Sequence, residues 1–281
     1  MASTSPSHDL PSGSRRRSAL IVSHAQHVFK VLGWIENQRC CVTVLTDGSG
    51  AGPWGKPHTE QLRRDLSKHG AHPSGIFGLL PDATVYKALL DYDVELFTGI
   101  ADRIALDLER DRIDFVFGDA AEGYNPAHDL CRFIVDAAVT IAEYRSGRRI
   151  ANYEFFLAEW IDAARKVPRP GDSEIVLDES RLDDKIAASL QYDGWKPEIS
   201  EVIAKFGPRY FAREFLRPAI AFAAPLHGDR PEYESFGEER VADGDYSEVI
   251  RYRRHVRPML LALEAHALQT ISVRSRAVGL G

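Results

Sequence analysis

Two short apolar runs near the start of the chain constrain its fold more than any other feature. Residues 19–23 read ALIVS and residues 40–46 read CCVTVLT. Short apolar runs rich in β-branched residues are typical of strands buried on both faces of a parallel sheet. Between the two runs, residues 28–37 place apolar side chains at helical spacing. The resulting order of strand, helix and strand predicts an α/β fold.

The alternation continues along the chain, with turn signals between the segments. Helices are predicted over residues 59–70, 92–110, 130–141, 179–191, 197–206 and 246–269, and further strands over 113–117, 152–157 and 175–177. We therefore predict one three-layer, Rossmann-like α/β domain over residues 19–270, with a mainly parallel sheet and a helical C-terminal part. Residues 1–18 contain too few apolar side chains to fold and are predicted to be a disordered tail, and 271–281 a C-terminal tail.

Charge and cysteine content argue against several classes of protein. The chain has 35 Lys and Arg against 41 Asp and Glu, a formal charge of -6, whereas nucleic-acid binders are normally basic. No window approaches the roughly 18 consecutive apolar residues of a membrane span. Three cysteines are too few for a disulfide framework, and the apolar run behind Arg15–Arg17 is too short for an export signal. We expect a cytoplasmic protein without nucleic-acid or membrane partners.

Polar residues follow three of the predicted strands directly. The first strand runs into residues 23–27 (SHAQH), the second into 47–50 (DGSG), and the third into Asp119 and then 122–129 (EGYNPAHD). Ligands of open parallel sheets collect beyond the carboxyl ends of the strands. We therefore expect all three segments to lie on one edge of the sheet, at the functional site.

Three histidines in these segments have the composition of a metal site. His24 and His27 stand three residues apart at the start of a predicted helix, and His128 opens the helix after the third strand. Three protein ligands and an open position are what a catalytic zinc site requires. Histidines three apart are common by chance, so the residues alone favour exposed histidines at helix starts without a metal.

The three segments, in this order, also resemble the motifs of a known enzyme family. Residues 23–28 read SHAQHV, 46–48 read TDG and 125–128 read NPAH. In the PIG-L/LmbE family of zinc-dependent N-deacetylases the corresponding motifs are Ala-His-Pro-Asp-Asp-Glu, Thr-Asp-Gly and His-Pro-Asp-His. Residues 233–258 are similar to the C-terminal region of one branch of that family. The resemblance implies a metal-dependent hydrolase that cleaves an N-acyl or N-acetyl amide on a small molecule, such as an amino sugar or a natural-product intermediate.

The resemblance also assigns the metal ligands. The two metal-binding histidines of the family fall on His24 and His128, and its metal-binding aspartate falls on His27. All three side chains can bind a metal, so the family's set of two histidines and a carboxylate becomes three histidines. We expect them to hold zinc, or another divalent metal such as iron.

The proton-transfer residues depart further from the family's pattern. Its catalytic base falls on Gln26, whose amide cannot accept a proton from water at neutral pH. Its oxyanion-stabilising histidine falls on Asn125, which can still donate a hydrogen bond. The candidates for a replacement base are Asp47, Glu122 and Asp129.

These substitutions leave two alternatives to amide hydrolysis. The chain could be a pathway enzyme that kept the deacetylase scaffold and changed its chemistry, or a catalytically inactive homologue that only binds ligand. Either alternative is favoured by the combined loss of the base and of the oxyanion histidine.

Overall fold

A computed structural model describes residues 17–36, 38–49, 59–157, 167–192, 195–223, 225 and 230–278. The described residues contain a seven-stranded sheet. Its strands are β1 (Arg17–Val22), β2 (Arg39–Thr46), β3 (Ala71–Leu80), β4 (Phe115–Asp119), β5 (Ala151–Phe155), β6 (Ser173–Val176) and β7 (Arg213–Pro218).

The sheet is mainly parallel, as predicted. Its strand order is β3-β2-β1-β4-β5-β7-β6, and β7 runs antiparallel to both of its neighbours. The chain builds outward from β1 through β2 to β3, and then crosses to the other side of β1 to form β4. This crossing makes the carboxyl ends of β1 and β4 the switch point where open α/β sheets bind ligands.

Helices flank the sheet on both sides. They are α1 (Leu32–Glu36), α2 (Thr59–Asp65), α3 (Asp82–Leu90), α4 (Val94–Arg110), α5 (Pro126–Ser146), α6 (Glu179–Leu190), α7 (Lys196–Phe206), α8 (Glu232–Ala242) and α9 (Arg257–Val278). A 3-10 turn at Ala25–Val31 precedes α1, and a π-helical turn at Tyr252–Val256 leads into α9. None of the described helices combines the length and apolar character needed to cross a bilayer.

Strand β1 divides the apolar core into two layers. Ala19 and Ile21 belong to the cluster that includes α4, α5 and α9, whereas Leu20 and Val22 belong to the cluster that includes α1 and α2. Because alternate side chains of a strand point to opposite faces, both faces of the sheet are covered. The molecule therefore has the predicted three-layer α/β fold.

Helix α5 begins near the switch point and runs through the apolar core. Pro126 occupies a first-turn position where a missing N–H costs nothing, and Asn125 Oδ1 caps the helix by accepting from Ala127 N at 2.8 Å. Gly147 ends it in the left-handed conformation. Nearly all of the helix is buried, so the residues of its first turn are held rigidly against the switch point.

Two strands that the sequence did not reveal complete the sheet. Strand β3 contains Pro73 and two glycines, which obscure the alternation expected of a strand. Proline is tolerated in β3 because β3 is an edge strand. Strand β7 was hidden by its charged residues, of which Glu214 and Arg217 are buried and paired.

The helical part also differs in detail. Helices α3 and α8 were not predicted, and the helix expected over 246–269 begins only at the π-helical turn. It then continues to Val278, so a domain boundary at residue 270 would fall inside α9. The strand expected at 113–117 is shifted to Phe115–Asp119. With this shift Asp119 is the last residue of β4, at the switch point.

Candidate metal centre

Three buried histidines meet at the switch point. His24 follows β1, His27 lies in the 3-10 turn, and His128 is in the first turn of α5. Each is only 5–6% exposed, and one ligand atom from each lies within 4.8 Å of the others. The structure thus brings together the three residues that the sequence singled out as metal ligands. Below, these three residues are called the histidine cluster.

Asp119 fixes the orientation of His27. Its Oδ1 lies 2.9 Å from His27 Nδ1, and its Oδ2 accepts from Ser23 N at 2.8 Å and from Ser23 Oγ at 2.7 Å. A carboxylate acceptor holds the imidazole proton on Nδ1 and leaves the Nε2 lone pair for a metal. Burial by itself would raise the pKa of Asp119, but the contacts with His27 and Ser23 N outweigh it and hold that pKa below its ordinary value.

His24 is held between a hydroxyl and a second carboxylate. Its Nδ1 lies 3.0 Å from Ser23 Oγ, and because that hydroxyl donates its own proton to Asp119, it accepts from His24 Nδ1–H. The lone pair is then on Nε2, which lies 3.1 Å from Oδ1 of the buried Asp82. A lone pair and a carboxylate oxygen repel at this distance unless a proton or a cation lies between or beside them.

His128 has a ring nitrogen without a hydrogen-bond partner among the described residues. Its ring centre lies 4.6 Å from that of His27 and 5.1 Å from that of His24. The nitrogen without a partner is Nδ1, which is buried. Burial, reinforced by the two neighbouring rings, lowers the pKa of His128 well below its ordinary value and keeps the ring neutral. An orphaned, neutral nitrogen beside two further imidazoles suits zinc or a similar divalent metal.

Gln26 and Asn125 flank the cluster differently. The Oε1 atom of Gln26 is buried and has no hydrogen-bond partner among the described residues. Asn125 uses its Oδ1 to cap α5, and its Nδ2 donates to the Tyr86 hydroxyl at 3.2 Å. One N–H of Asn125 is thereby committed, and only the other could reach a substrate oxyanion.

The three carboxylates proposed as bases each accept a backbone N–H. These contacts help to set the shape of the loops at the strand ends. They join Asp47 to Ser49 N at 2.9 Å, Glu122 to Leu157 N at 2.6 Å, and Asp129 to Gly123 N at 3.0 Å.

Sequence reasoning placed Asp119 at the site without giving it a role, and it did not find Asp82; both carboxylates touch the cluster. Asp119 was visible as a polar residue after a strand, but its contact with His27 depends on the pairing of β1 with β4. Asp82 is the first residue of α3, a helix that the sequence did not reveal, and it is distant from His24 along the chain. No local pattern could have placed it at the site.

Comparisons with known proteins identify a similar fold. No family model matches the sequence, and no curated protein matches it. Among solved structures, an A40926 pseudoaglycone deacetylase is similar, with 19% identity, coverage of 75% of this chain and 100% of that chain, and a TM-score of 0.50. The zinc-inhibited form of a teicoplanin deacetylase is 11% identical over 72% of this chain and 98% of its own, with a TM-score of 0.43. At such identities the first likeness establishes a shared α/β fold.

Proposed function

We propose that this chain is a metal-dependent hydrolase that removes an N-acyl group from a small molecule, and a divergent member of the PIG-L/LmbE family. The observation that carries the proposal is the buried histidine cluster, whose ligand atoms lie within 4.8 Å of one another. The motif resemblance and the fold shared with a deacetylase support it. We assign zinc, or iron, to His24, His27 and His128.

A divalent metal held there would polarise the amide carbonyl and make a nearby water more acidic. The proton of the attacking water still needs an acceptor, and Gln26 cannot serve. We assign that role to Asp82, whose Oδ1 lies 3.1 Å from His24 Nε2 and is therefore beside the reacting atoms. We prefer Asp82 to Asp47, Glu122 and Asp129, because Asp82 touches the cluster whereas those three carboxylates accept backbone N–H groups of the loops at the strand ends.

Two amides complete the site. Gln26, with its buried Oε1 atom at the turn between His24 and His27, would orient the attacking water by accepting a hydrogen bond. Asn125 would donate its second N–H to the developing oxyanion, while the Tyr86 hydroxyl and the helix cap hold the rest of the amide in place. Both residues act by positioning and polarity, without exchanging a proton.

Metal content is the first test. We expect about one zinc or iron per chain in the purified protein, and loss of that metal in a His24→Ala/His27→Ala double variant. His72→Ala, which removes an exposed histidine of β3, is the matched control and should retain the metal. Equal metal content in the double variant and the control would refute the ligand assignment.

Amine release separates the hydrolase from its alternatives. The presence of Gln26 and Asn125 where the resembled family has its base and its oxyanion histidine favours a pathway enzyme with other chemistry or an inactive ligand-binding homologue. A metal-loaded hydrolase should release primary amine from some member of a panel of N-acetyl and longer N-acyl amines of graded size. Metal-loaded protein that releases no amine from any of them would favour the alternatives and overturn the assignment of amide hydrolysis.

A further inference from the structure

A large cavity lies near the histidine cluster, although none of the three histidines lines it. It has a volume of about 810 Å³ and lies between α3, the loop before α5, α8 and residues 245–250. Asn125 and Tyr124 line it, and the Tyr124 ring lies 6.2 Å from the ring of His128. Ala83 also lines it, directly after Asp82. Small-molecule sites have volumes of about 300–1,000 Å³, so this space would hold an entire organic molecule rather than an acetyl group alone.

Aromatic rings form much of the wall of this cavity. They come from α3, the loop before α5, α8 and the segment that follows α8, so four separate parts of the chain contribute. The rings are those of Tyr86, Tyr124, Tyr233, Phe236 and Tyr246. Tyr124 is 55% exposed and Phe236 is 47% exposed, although both are large apolar side chains. Exposed rings that face a common cavity mark a place where an apolar or aromatic body is bound.

The charged groups that line the cavity are mainly acidic. Four carboxylates stand against one ammonium, that of Lys87, and this ammonium pairs with one of the four. The four are Asp91, Glu232, Asp245 and Glu248. The charges of Lys87 and Asp91 cancel, which leaves three carboxylates on the cavity wall without an opposite charge on that wall.

The arginine partners of two of these three carboxylates lie outside the cavity wall. Arg240 Nη1 lies 3.0 Å from Asp245, and Arg254 Nη1 lies 3.4 Å from Glu248, but neither arginine lines the cavity. Glu232 forms no ion pair with any described residue. A phosphate or carboxylate in the cavity would therefore meet like charge first, whereas an ammonium group would meet carboxylates and ring faces.

We propose that this cavity binds the body of the substrate, and that the substrate is a bulky aromatic or apolar molecule carrying a protonated amine. The proposal rests on the proposed function, because it specifies which N-acyl compounds the histidine cluster would meet. The rings enclose the apolar body, the carboxylates select the positive charge, and the route past Tyr124 and Asn125 leads toward His128.

The test uses a matched pair of fluorescent probes on protein stripped of metal with EDTA. Dansylcadaverine carries a naphthalene ring and an ammonium group, and N-dansyl-6-aminohexanoate carries the same ring and a carboxylate. Dansyl emission shifts to shorter wavelength in an apolar cavity. We expect the ammonium probe to bind about tenfold more tightly than the carboxylate probe, a difference of about 1.4 kcal/mol.

Variants locate the binding. Phe236→Ala should weaken binding of both probes about tenfold, because both share the ring. Glu232→Gln should reduce the preference for the ammonium probe, whereas Glu239→Gln, an exposed glutamate of the same helix that does not line the cavity, should not. Equal affinity for the two probes, no binding of either, or binding unchanged in Phe236→Ala would overturn the proposal. Because no metal and no turnover are involved, failure here is distinct from failure of the hydrolase assignment.

Discussion

Replacing Asp119 by asparagine tests whether the carboxylate behind His27 prepares the cluster for metal. Asp119 accepts three hydrogen bonds, one from His27 Nδ1 and two from Ser23. Asparagine offers one oxygen in place of two. If its NH2 faces Ser23, two donors lose their acceptor. If its NH2 faces His27, the ring must move its proton to Nε2, the nitrogen that would otherwise bind the metal.

The magnitude follows from these contacts. Loss of an acceptor for a buried donor costs about 1–3 kcal/mol of folding free energy. Removal of a carboxylate that orients a metal-binding histidine typically weakens metal affinity about 10- to 100-fold, or about 1.4–2.7 kcal/mol. We therefore expect Asp119→Asn to lower both the stability of the metal-free protein and its zinc affinity by these amounts.

A second buried aspartate provides the control. Asp136 is 1% exposed, forms an ion pair with Arg132 at 2.9 Å, and accepts hydrogen bonds from Asn152 Nδ2 and Phe222 N at 3.0 Å each. Asp136→Asn should cost similar stability and leave zinc affinity unchanged. Stability is measured by urea unfolding in EDTA, and zinc affinity by competition with a chromogenic chelator. Equal zinc affinities for Asp119→Asn and Asp136→Asn, with similar losses of stability, would refute the reasoning.

Three further predictions address the base, the pH dependence and the packing. Asp82→Asn should retain the metal and lower kcat about 100- to 10,000-fold, measured by amine release; an unchanged kcat would exclude Asp82 as the base. Burial, which outweighs nearby arginines, raises the pKa of Glu154 to about 7 from an ordinary 4.5. The folded state then binds this proton more tightly than the unfolded state does. The resulting contribution of Glu154 to folding stability is complete below about pH 4.5 and is lost as the pH rises through about 7. Glu154→Gln should reduce the pH dependence of the urea unfolding midpoint between pH 5 and 8; an unchanged pH dependence would contradict this. Gly118→Ala would place a Cβ in steric conflict with the carbonyl oxygen of Ile21 and should cost about 1–3 kcal/mol of folding free energy. Gly99→Ala, with nothing within 4 Å of the added Cβ, should be neutral or stabilising in thermal unfolding.

The sequence predicted the centre of this fold better than its edges. Strands β1 and β2 are uninterrupted apolar runs because helices cover both of their faces, and that burial is visible in the sequence. Edge strand β3 has one partner strand, so Pro73 and the glycines of β3 cost few sheet hydrogen bonds. The same residues obscure the alternating apolar pattern of the strand. Strand β7 buries Glu214 against Lys185, which is possible only because a partner from a distant helix is in place. Such pairings cannot be deduced from local pattern.

The same distinction applies to the site. His24, His27 and His128 could be singled out because each directly follows a strand end or opens a helix, where the chain positions side chains locally. Asp82 and Asp119 matter through contacts across the sheet, which depend on the strand order and on the position of α3. The sequence thus indicated the candidate ligands, and the three-dimensional structure was needed to find the carboxylates that support them.

Those carboxylates also bear on how a site with three imidazoles and no carboxylate ligand could hold a divalent cation. In the family that the motifs resemble, two aspartates of the first motif fall on Gln26 and His27, so both negative charges are lost from the local sequence. The structure places two others beside the cluster, Asp82 at 3.1 Å from His24 and Asp119 at 2.9 Å from His27. A divalent cation held by three neutral rings would then have its charge balanced by two buried carboxylates one step farther away. In the proposed site these two carboxylates would supply the negative charge, with Asp82 as the proton acceptor and Asp119 as the support of His27.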